Sequence, residues 1–274
     1  SASDNAKLIA SRNEPIRKKE TFLVKEKIIT PSGDIVFDFG QNLVGWVEFI
    51  HQGKAGDTVR VYHAEILDKE GEFYTENLRA AKQLNTFILN GDSQWVYRPH
   101  FTFQGFRYIK IESSAAVNPA DFKAIAMYSD MRPTGTLTTS DPLINQLQQN
   151  IQWGQRGNFL DVPTDCPQRD ERLGWTGDAQ AFFNTAAFNY DVKNFFDKWL
   201  IDLSIDQRDD GSVPFVIPNV LGENAMGSAG RSDASTIIPW NAYLYYGDKE
   251  ALKQHYPSMK KWVMYMQNLA NEGI

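Results

Sequence analysis

Cysteine is almost missing from this chain. Cys166 stands alone among 274 residues, which excludes an internal disulfide and with it a disulfide-stapled scaffold. Histidine is nearly as scarce: His51, His63, His100 and His255 are scattered without ligand spacing. A zinc site is therefore not expected, and no metal or cofactor is. No apolar run approaches the ~20 residues that a membrane-spanning helix needs. An excess of cations is lacking too. The formal charge is −6, so the basic footprint of a nucleic-acid binder is absent. Gly222, Gly227 and Gly230 do not follow a strand at the spacing a dinucleotide fold requires. The chain begins Ser-Ala-Ser-Asp-Asn, without an initiator methionine or a leader, and reads as a processed or cut product. Periplasmic, secreted and cytoplasmic locations are all compatible with it, and no feature sets an oligomeric state.

What is present divides into three parts. Residues 1–19 are polar and weakly patterned, and Pro15 to Lys19 reads as an extended linker. Residues 20–131 carry short β-branched and aromatic runs: Thr21 to Ile29, Ile35 to Phe39, Leu43 to Ile50, Thr58 to Ala64, Leu84 to Leu89, Phe106 to Glu112 and Phe122 to Tyr128. Turn residues such as Pro31-Ser32-Gly33-Asp34 separate them. About eight short strands so punctuated predict an antiparallel β-sandwich. From residue 132 to 274 the period becomes helical. Asp141-Pro142 is a cap followed by proline at the first helical position, with Leu143, Ile144, Leu147 and Ile151 behind it. Further helices are expected around Phe182 to Ala187, after Asp191, from Asp233 to Tyr246, and from Pro257 onward. Trp153, Trp199, Trp240 and Trp262 fall on helix-packing stripes and read as core.

The stretch from Asp165 to Asp178 differs from everything around it. It holds four acids, two arginines and a tryptophan in fourteen residues, together with a cysteine, a proline and two glycines. A salt-bridged surface loop is the plain reading of such charge. The mixture also suits a site lining: carboxylates for proton transfer, guanidinium groups for hydroxyls or counter-charge, an aromatic face for a ring. Gly174 and Gly177 each disfavour a helix by ~1 kcal/mol relative to alanine. A loop through Gly174, with a helix starting near Thr176 and Thr176 capping Ala179, is therefore expected. Cys166, with no histidine near it in sequence, reads as a small buried thiol and not a nucleophile.

With Pro163-Thr164 before it, Asp165-Cys166-Pro167-Gln168-Arg169-Asp170-Glu171 and Gly174-Trp175-Thr176-Gly177-Asp178 resemble the signature of the α-L-rhamnosidases of glycoside hydrolase family 78. Phe101 to Tyr108 is similar to the sequence that family carries near the end of its sandwich module, and Asp210 to Pro214 with Pro218 is similar to a loop near its site. The resemblance spans residues 19 to 274. It implies a sandwich followed by an (α/α)6 barrel of six helical hairpins, of which about half is present. It implies an inverting hydrolase that removes terminal α-L-rhamnose from a carbohydrate partner, with one carboxylic acid protonating the leaving oxygen and a second carboxylate activating water. Glu171 matches the general acid. Asp165, Arg169, Asp170 and Asp178 match sugar-binding positions, and Trp175 a wall for the apolar face of the ring. The general base of the family is a glutamate from the later barrel, and no position here matches it, so these 274 residues alone are expected to be inactive.

One departure stands at Gly227 to Ala234. The family's Trp-Gly is replaced by Arg231-Ser232, while Asp233 and the following Pro239-Trp240 are kept. A cation in place of an aromatic in the sugar pocket points to an altered sugar preference, with Arg231 and Asp233 as contacts. The rival readings are a non-catalytic carbohydrate-binding fragment, and a helical-barrel glycosidase for a different sugar.

Overall fold

The computed structural model describes residues 10–271; residues 1–9 of the expected linker and the last three residues lie outside them. The chain forms two compact units. One holds Ile16–Ser129 and Leu137–Leu173; the other is made chiefly of the residues from Gly174 onward, with Asp130–Thr136.

The first unit is built on an antiparallel sheet of seven strands: β1 (Ile16–Leu23), β2 (Glu26–Ile29), β3 (Ile35–Phe49), β4 (Thr58–Ala64), β5 (Leu84–Ile88), β6 (Gln104–Ser113) and β7 (Phe122–Ser129). Their order is β1-β7-β3-β6-β4-β5, with β2 paired to the start of β3. Alternation in β4 buries Val59, Val61 and His63 on one face; the two valines share one core with Phe37, Phe49, Phe106, Ile109 and Phe122, and His63 meets Phe106 edge-on at 4.9 Å. Three expectations change. Pro15 to Lys19 is not a linker throughout, because Ile16 onward pairs with β7. The run from Thr21 to Ile29 is two strands. The two runs between Ile35 and Ile50 are one long strand that slips register between Asp38 and Leu43, leaving β6 for β7 at Gly45. A Cβ at Gly45 would lie 1.8 Å from the Ile125 carbonyl oxygen, so only glycine permits that handover.

Helix α1 (Pro142–Asn158) also belongs to this unit. Asp141 caps it as expected, accepting the Leu143 N–H at 2.8 Å. Its C-terminal half meets the sheet, with Trp153 edge-on to Phe22 at 5.7 Å. Its N-terminal stripe does not: Leu143 and Leu147 are exposed. A short ribbon of β8 (Phe159–Leu160) and β9 (Val162–Pro163) leads from it into the charged stretch.

The second unit contains α2 (Thr176–Asn189), α3 (Lys193–Asp206), α4 (Ala234–Tyr246) and α5 (Lys249–Asn271). Phe183, Phe195, Phe196, Trp199, Leu203, Ile238 and Trp262 are buried. Phe183 meets Phe196 edge-on at 4.8 Å. Helix α5 does not open at Pro257. Asp248 Oδ1 accepts the N–H groups of Glu250 and Ala251, which starts the helix about two turns earlier and leaves Pro257 inside it. Its buried stripe runs through His255, Ser258 and Trp262, while Val263 is exposed. Trp240 is half exposed and is not core. No helix among the described residues is long and apolar enough to cross a membrane.

Candidate active site

The eight predicted residues fall into two groups. Asp165, Arg169, Asp170 and Glu171 lie in the sheet unit; Trp175, Asp178, Arg231 and Asp233 lie in the helical one.

The first group sits on an irregular loop, as Gly174 and Gly177 predicted. The loop closes on itself through Asp165. Its N–H donates to the Leu173 carbonyl at 3.1 Å, and its Oδ1 accepts the Leu173 N–H at 3.1 Å. Its carboxylate is almost completely buried. Arg169 is the hub. Its Nε donates to Cys166 Sγ at 2.9 Å and its Nη2 reaches Glu171 Oε2 at 3.0 Å and Asp165 Oδ2 at 3.8 Å. Glu171 keeps part of its side chain open to solvent. Arg79 Nη1 approaches the same oxygen at 3.1 Å, and Cys166 Sγ lies 3.8 Å from it. Cys166 donates to Asp165 Oδ2 at 2.8 Å. Burial first, then that hydrogen bond, push its thiol up to about 11, so it stays protonated at neutral pH and is not poised for attack. Donor atoms of Asp165, Cys166 and Glu171 lie within 4.8 Å of one another. A protonated thiol and two guanidinium groups on those oxygens make this an ion-paired loop and not a cation cage.

Several partners of the loop come from the sheet and carried no signal in the sequence. Arg79 follows a 3-10 turn over Glu76–Leu78, in a segment that looks like ordinary polar loop. The Ala80 N–H donates to Asp170 Oδ2 at 3.3 Å, and the Gln83 amide donates to the Gln168 carbonyl. Arg172 donates to the Phe103 carbonyl at 2.9 Å and to Gln104 Oε1 at 3.3 Å. A Cβ on Gly105 would stand 2.9 Å from Gln168 Cβ. The segment from Phe101 to Tyr108 was expected only as the end of a sandwich; its residues 103–105 support the charged loop.

The second group is organised by the start of α2. The helix begins at Thr176, as expected, but Thr176 does not cap Ala179. Its hydroxyl donates to the Phe215 carbonyl at 3.0 Å, and Ala179 N–H goes to the Trp175 carbonyl. Thr176 is fully buried, so its hydroxyl is satisfied by the loop packed on it. That loop pairs Val216 with Trp175, and Ile217 N–H donates to the Gly174 carbonyl at 2.9 Å. A Cβ at Gly174 would lie 2.2 Å from the Ile217 oxygen. Arg231 lies over the Trp175 ring at 4.9 Å and over the Phe215 ring at 4.8 Å. Asp178 is exposed on the first turn of α2. Asp233 is turned to its own neighbours: it accepts Gly230 N–H at 2.7 Å and Trp262 Nε1–H at 2.9 Å. Ser232, the other departure, is buried and donates to the Val213 carbonyl at 2.8 Å.

The chain thus carries an antiparallel sheet unit, with a loop that concentrates carboxylates and guanidinium groups, followed by a unit of helices. Two family models match the chain: the bacterial alpha-L-rhamnosidase concanavalin-like domain over residues 28–128, and the bacterial alpha-L-rhamnosidase 6 hairpin glycosidase domain over residues 132–273. The chain belongs to the bacterial α-L-rhamnosidase family of six-hairpin glycosidases. It is 42% identical over 271 residues to an alpha-L-rhamnosidase of Formosa agariphila, covering 98% of this chain and 29% of that protein. Against an alpha-L-rhamnosidase of Streptomyces avermitilis it is 40% identical over 261 residues, 95% of this chain and 25% of that one. The crystal structure of the Streptomyces avermitilis enzyme complexed with L-rhamnose matches with a TM-score of 0.91 over 95% of this chain. The native α-L-rhamnosidase of Aspergillus terreus matches with a TM-score of 0.89 at 40% identity, over 93% of this chain and 30% of that one. The chain thus spans between a quarter and a third of the length of these relatives.

Proposed function

We propose that this chain supplies the general-acid half of an inverting α-L-rhamnosidase, with Glu171 as the acid. The observation that carries this reading is the hold on Glu171: a partly exposed carboxyl with two guanidinium groups on one oxygen, at 3.0 and 3.1 Å. Protonating a leaving oxygen turns a carboxylic acid into an anion. Arg79 and Arg169 hold the carboxyl in one direction, and a fixed direction toward the leaving oxygen is what a general acid needs. Asp165 fixes the loop, and Arg169 and Asp170 fix the orientation of the acid. In the helical unit, Trp175, before the first turn of α2, offers a ring face, and Asp178, on that turn, a hydroxyl acceptor. The second carboxylate, which activates water, is a glutamate outside these 274 residues, in keeping with the greater length of the relatives. The partner is a terminal α-L-rhamnoside.

The test is hydrolysis by the full-length protein of an aryl α-L-rhamnoside and of a rhamnose-containing disaccharide, beside Glu171→Gln. An aryl leaving group needs little protonation, whereas a sugar leaving group needs much. The variant is expected to lose ~100- to 10,000-fold on the disaccharide and far less on the aryl substrate. Equal activity of variant and wild type on the disaccharide would remove Glu171 from the acid role. If the variant still binds rhamnose while the wild type turns over neither substrate, the non-catalytic carbohydrate-binding reading takes its place.

A second reading rests on Arg231. Its guanidinium covers the Trp175 face that a neutral ring would use. A sugar bearing a carboxylate would pair with that cation, which favours a glycosidase of the same family with an acidic substrate. A panel of aryl glycosides separates the two, and preference for the rhamnoside excludes the second.

A further inference from the structure

We propose that Arg79 is a positioning residue for Glu171, so that the β4–β5 loop of the sheet unit is a working part of the catalytic device and not only its support. The inference rests on the reading of Glu171 as the acid. Two loops meet here, and both are held in conformations that side-chain-bearing residues seldom adopt. Arg79 and Gln83 have φ of 55° and 47° in one loop, and Arg172 has φ of 56° in the other. Such backbone persists only where the surroundings over-determine it. The two strained residues of the β4–β5 loop are the two whose side chains grip the charged loop. Arg79 Nη1 stands 3.1 Å from Glu171 Oε2 and 3.8 Å from Asp170 Oδ1, and Gln83 donates to the Gln168 carbonyl. Between them the Ala80 N–H holds Asp170 Oδ2. The far end of the grip is anchored in β4: the Gln83 carbonyl accepts the His63 N–H at 3.0 Å and faces His63 Nδ1 at 2.8 Å.

The geometry therefore runs from a rigid strand, through a strained loop, to the carboxyl that gives the proton. Arg169 reaches Glu171 from within the same short loop; Arg79 is the partner that refers the carboxyl to the sheet. Without it Glu171 keeps its chemistry and loses its aim. The loss should show where protonation of the leaving group limits the rate and nowhere else.

The experiment compares Arg79→Gln and Arg79→Lys with wild type in the full-length protein, on the disaccharide and on the aryl rhamnoside, with Glu171→Gln in parallel. Arg79 is half exposed, so neither change removes core. Arg79→Gln is expected to lower kcat on the disaccharide roughly ten- to hundredfold and kcat on the aryl substrate by less than about threefold, with KM nearly constant. Arg79→Lys should recover part of the loss. Equal losses on the two substrates, or none on either, would overturn the proposal. The outcomes separate it from the reading beneath it. If Glu171→Gln is harmless on the disaccharide, the acid assignment fails. If Glu171→Gln is crippled and Arg79→Gln is not, only the role of Arg79 fails.

Discussion

The sheet unit and the helical unit surround their candidate residues differently. In the sheet unit the charged loop has a partner for each key group: Asp165 with Leu173, Glu171 with Arg79 and Arg169, Arg172 with Phe103 and Gln104. In the helical unit Trp175, Phe215 and Arg231 form a stack of faces, and the buried interior behind them is aromatic. A carboxyl that moves a proton must be held in direction, and only short polar contacts do that. A wall for a sugar ring needs area and shape, which packing supplies.

The largest expected effect tests the helical side. Trp199→Ala removes a fully buried ring whose Nε1–H reaches the Ile217 carbonyl at 3.3 Å, behind the Gly174–Trp175 segment. It should cost about 3–5 kcal/mol in chemical denaturation. A loss below 1 kcal/mol would mean that the aromatic interior does not hold that segment.

Next comes acid on the sheet side. His63 is buried and neutral, and burial pulls it down to about 4. The unfolded chain takes up that proton near pH 6.5, so the stability it contributes is complete above 6.5 and lost as pH falls through 4. The loss should reach roughly 3 kcal/mol, read as denaturant midpoints against pH. A His63→Gln variant should flatten that slope. The same slope in both proteins would show that another group is responsible. Since His63 anchors Gln83, catalytic loss on the disaccharide should accompany the acid limb.

Gly105→Ala should follow, at about 1–3 kcal/mol, because its Cβ would press on Gln168 Cβ at 2.9 Å and on Gln168 backbone at 3.2 Å. Its activity on the disaccharide should fall more than its stability predicts. Unchanged kinetics would show that the charged loop does not depend on β6. The smallest effect belongs to Arg231→Ala, expected to cost about 0.5–1 kcal/mol for the lost stacking. Its diagnostic is substrate choice: relief of the Trp175 face should lower KM for a neutral rhamnoside, and a rise in KM would assign the cation to binding.

Much of this was legible in the chain itself. The β-branched runs and their turns marked the strands, though the run from Thr21 to Ile29 merged the end of β1 with β2, and the start of β1 at Ile16, where flanking charges hide the pairing with β7, was missed. The long β3 was read as two runs, whereas residues 39–42 form a register slip within one strand. Pro257 suggested a helix start; the Asp248 cap overruled it. The apolar residues of α1 and α5 gave the helices correctly but not their burial, since periodicity marks a stripe and not what covers it. In the charged stretch the loop and the start of α2 were legible from Gly174 and Thr176. Arg79, Gln83, Gln104 and Gly105 were not, because a loop residue far away in sequence carries no local mark of the carboxylate it will meet.

By itself the sequence determined the residue types: a loop too rich in acids and arginines for a core, too rich in glycine and tryptophan for a plain surface, and flanked by a β pattern before and a helical pattern after. Those are local properties, set by side-chain chemistry and by the two backbone periods. The tertiary structure decided the partners. It turned Glu171 toward Arg79 as well as Arg169, put Asp233 on Trp262, and laid Arg231 on Trp175. Direction at a carboxyl is fixed by groups that approach through space, and the strands and loops that carry them converge only when each unit has folded.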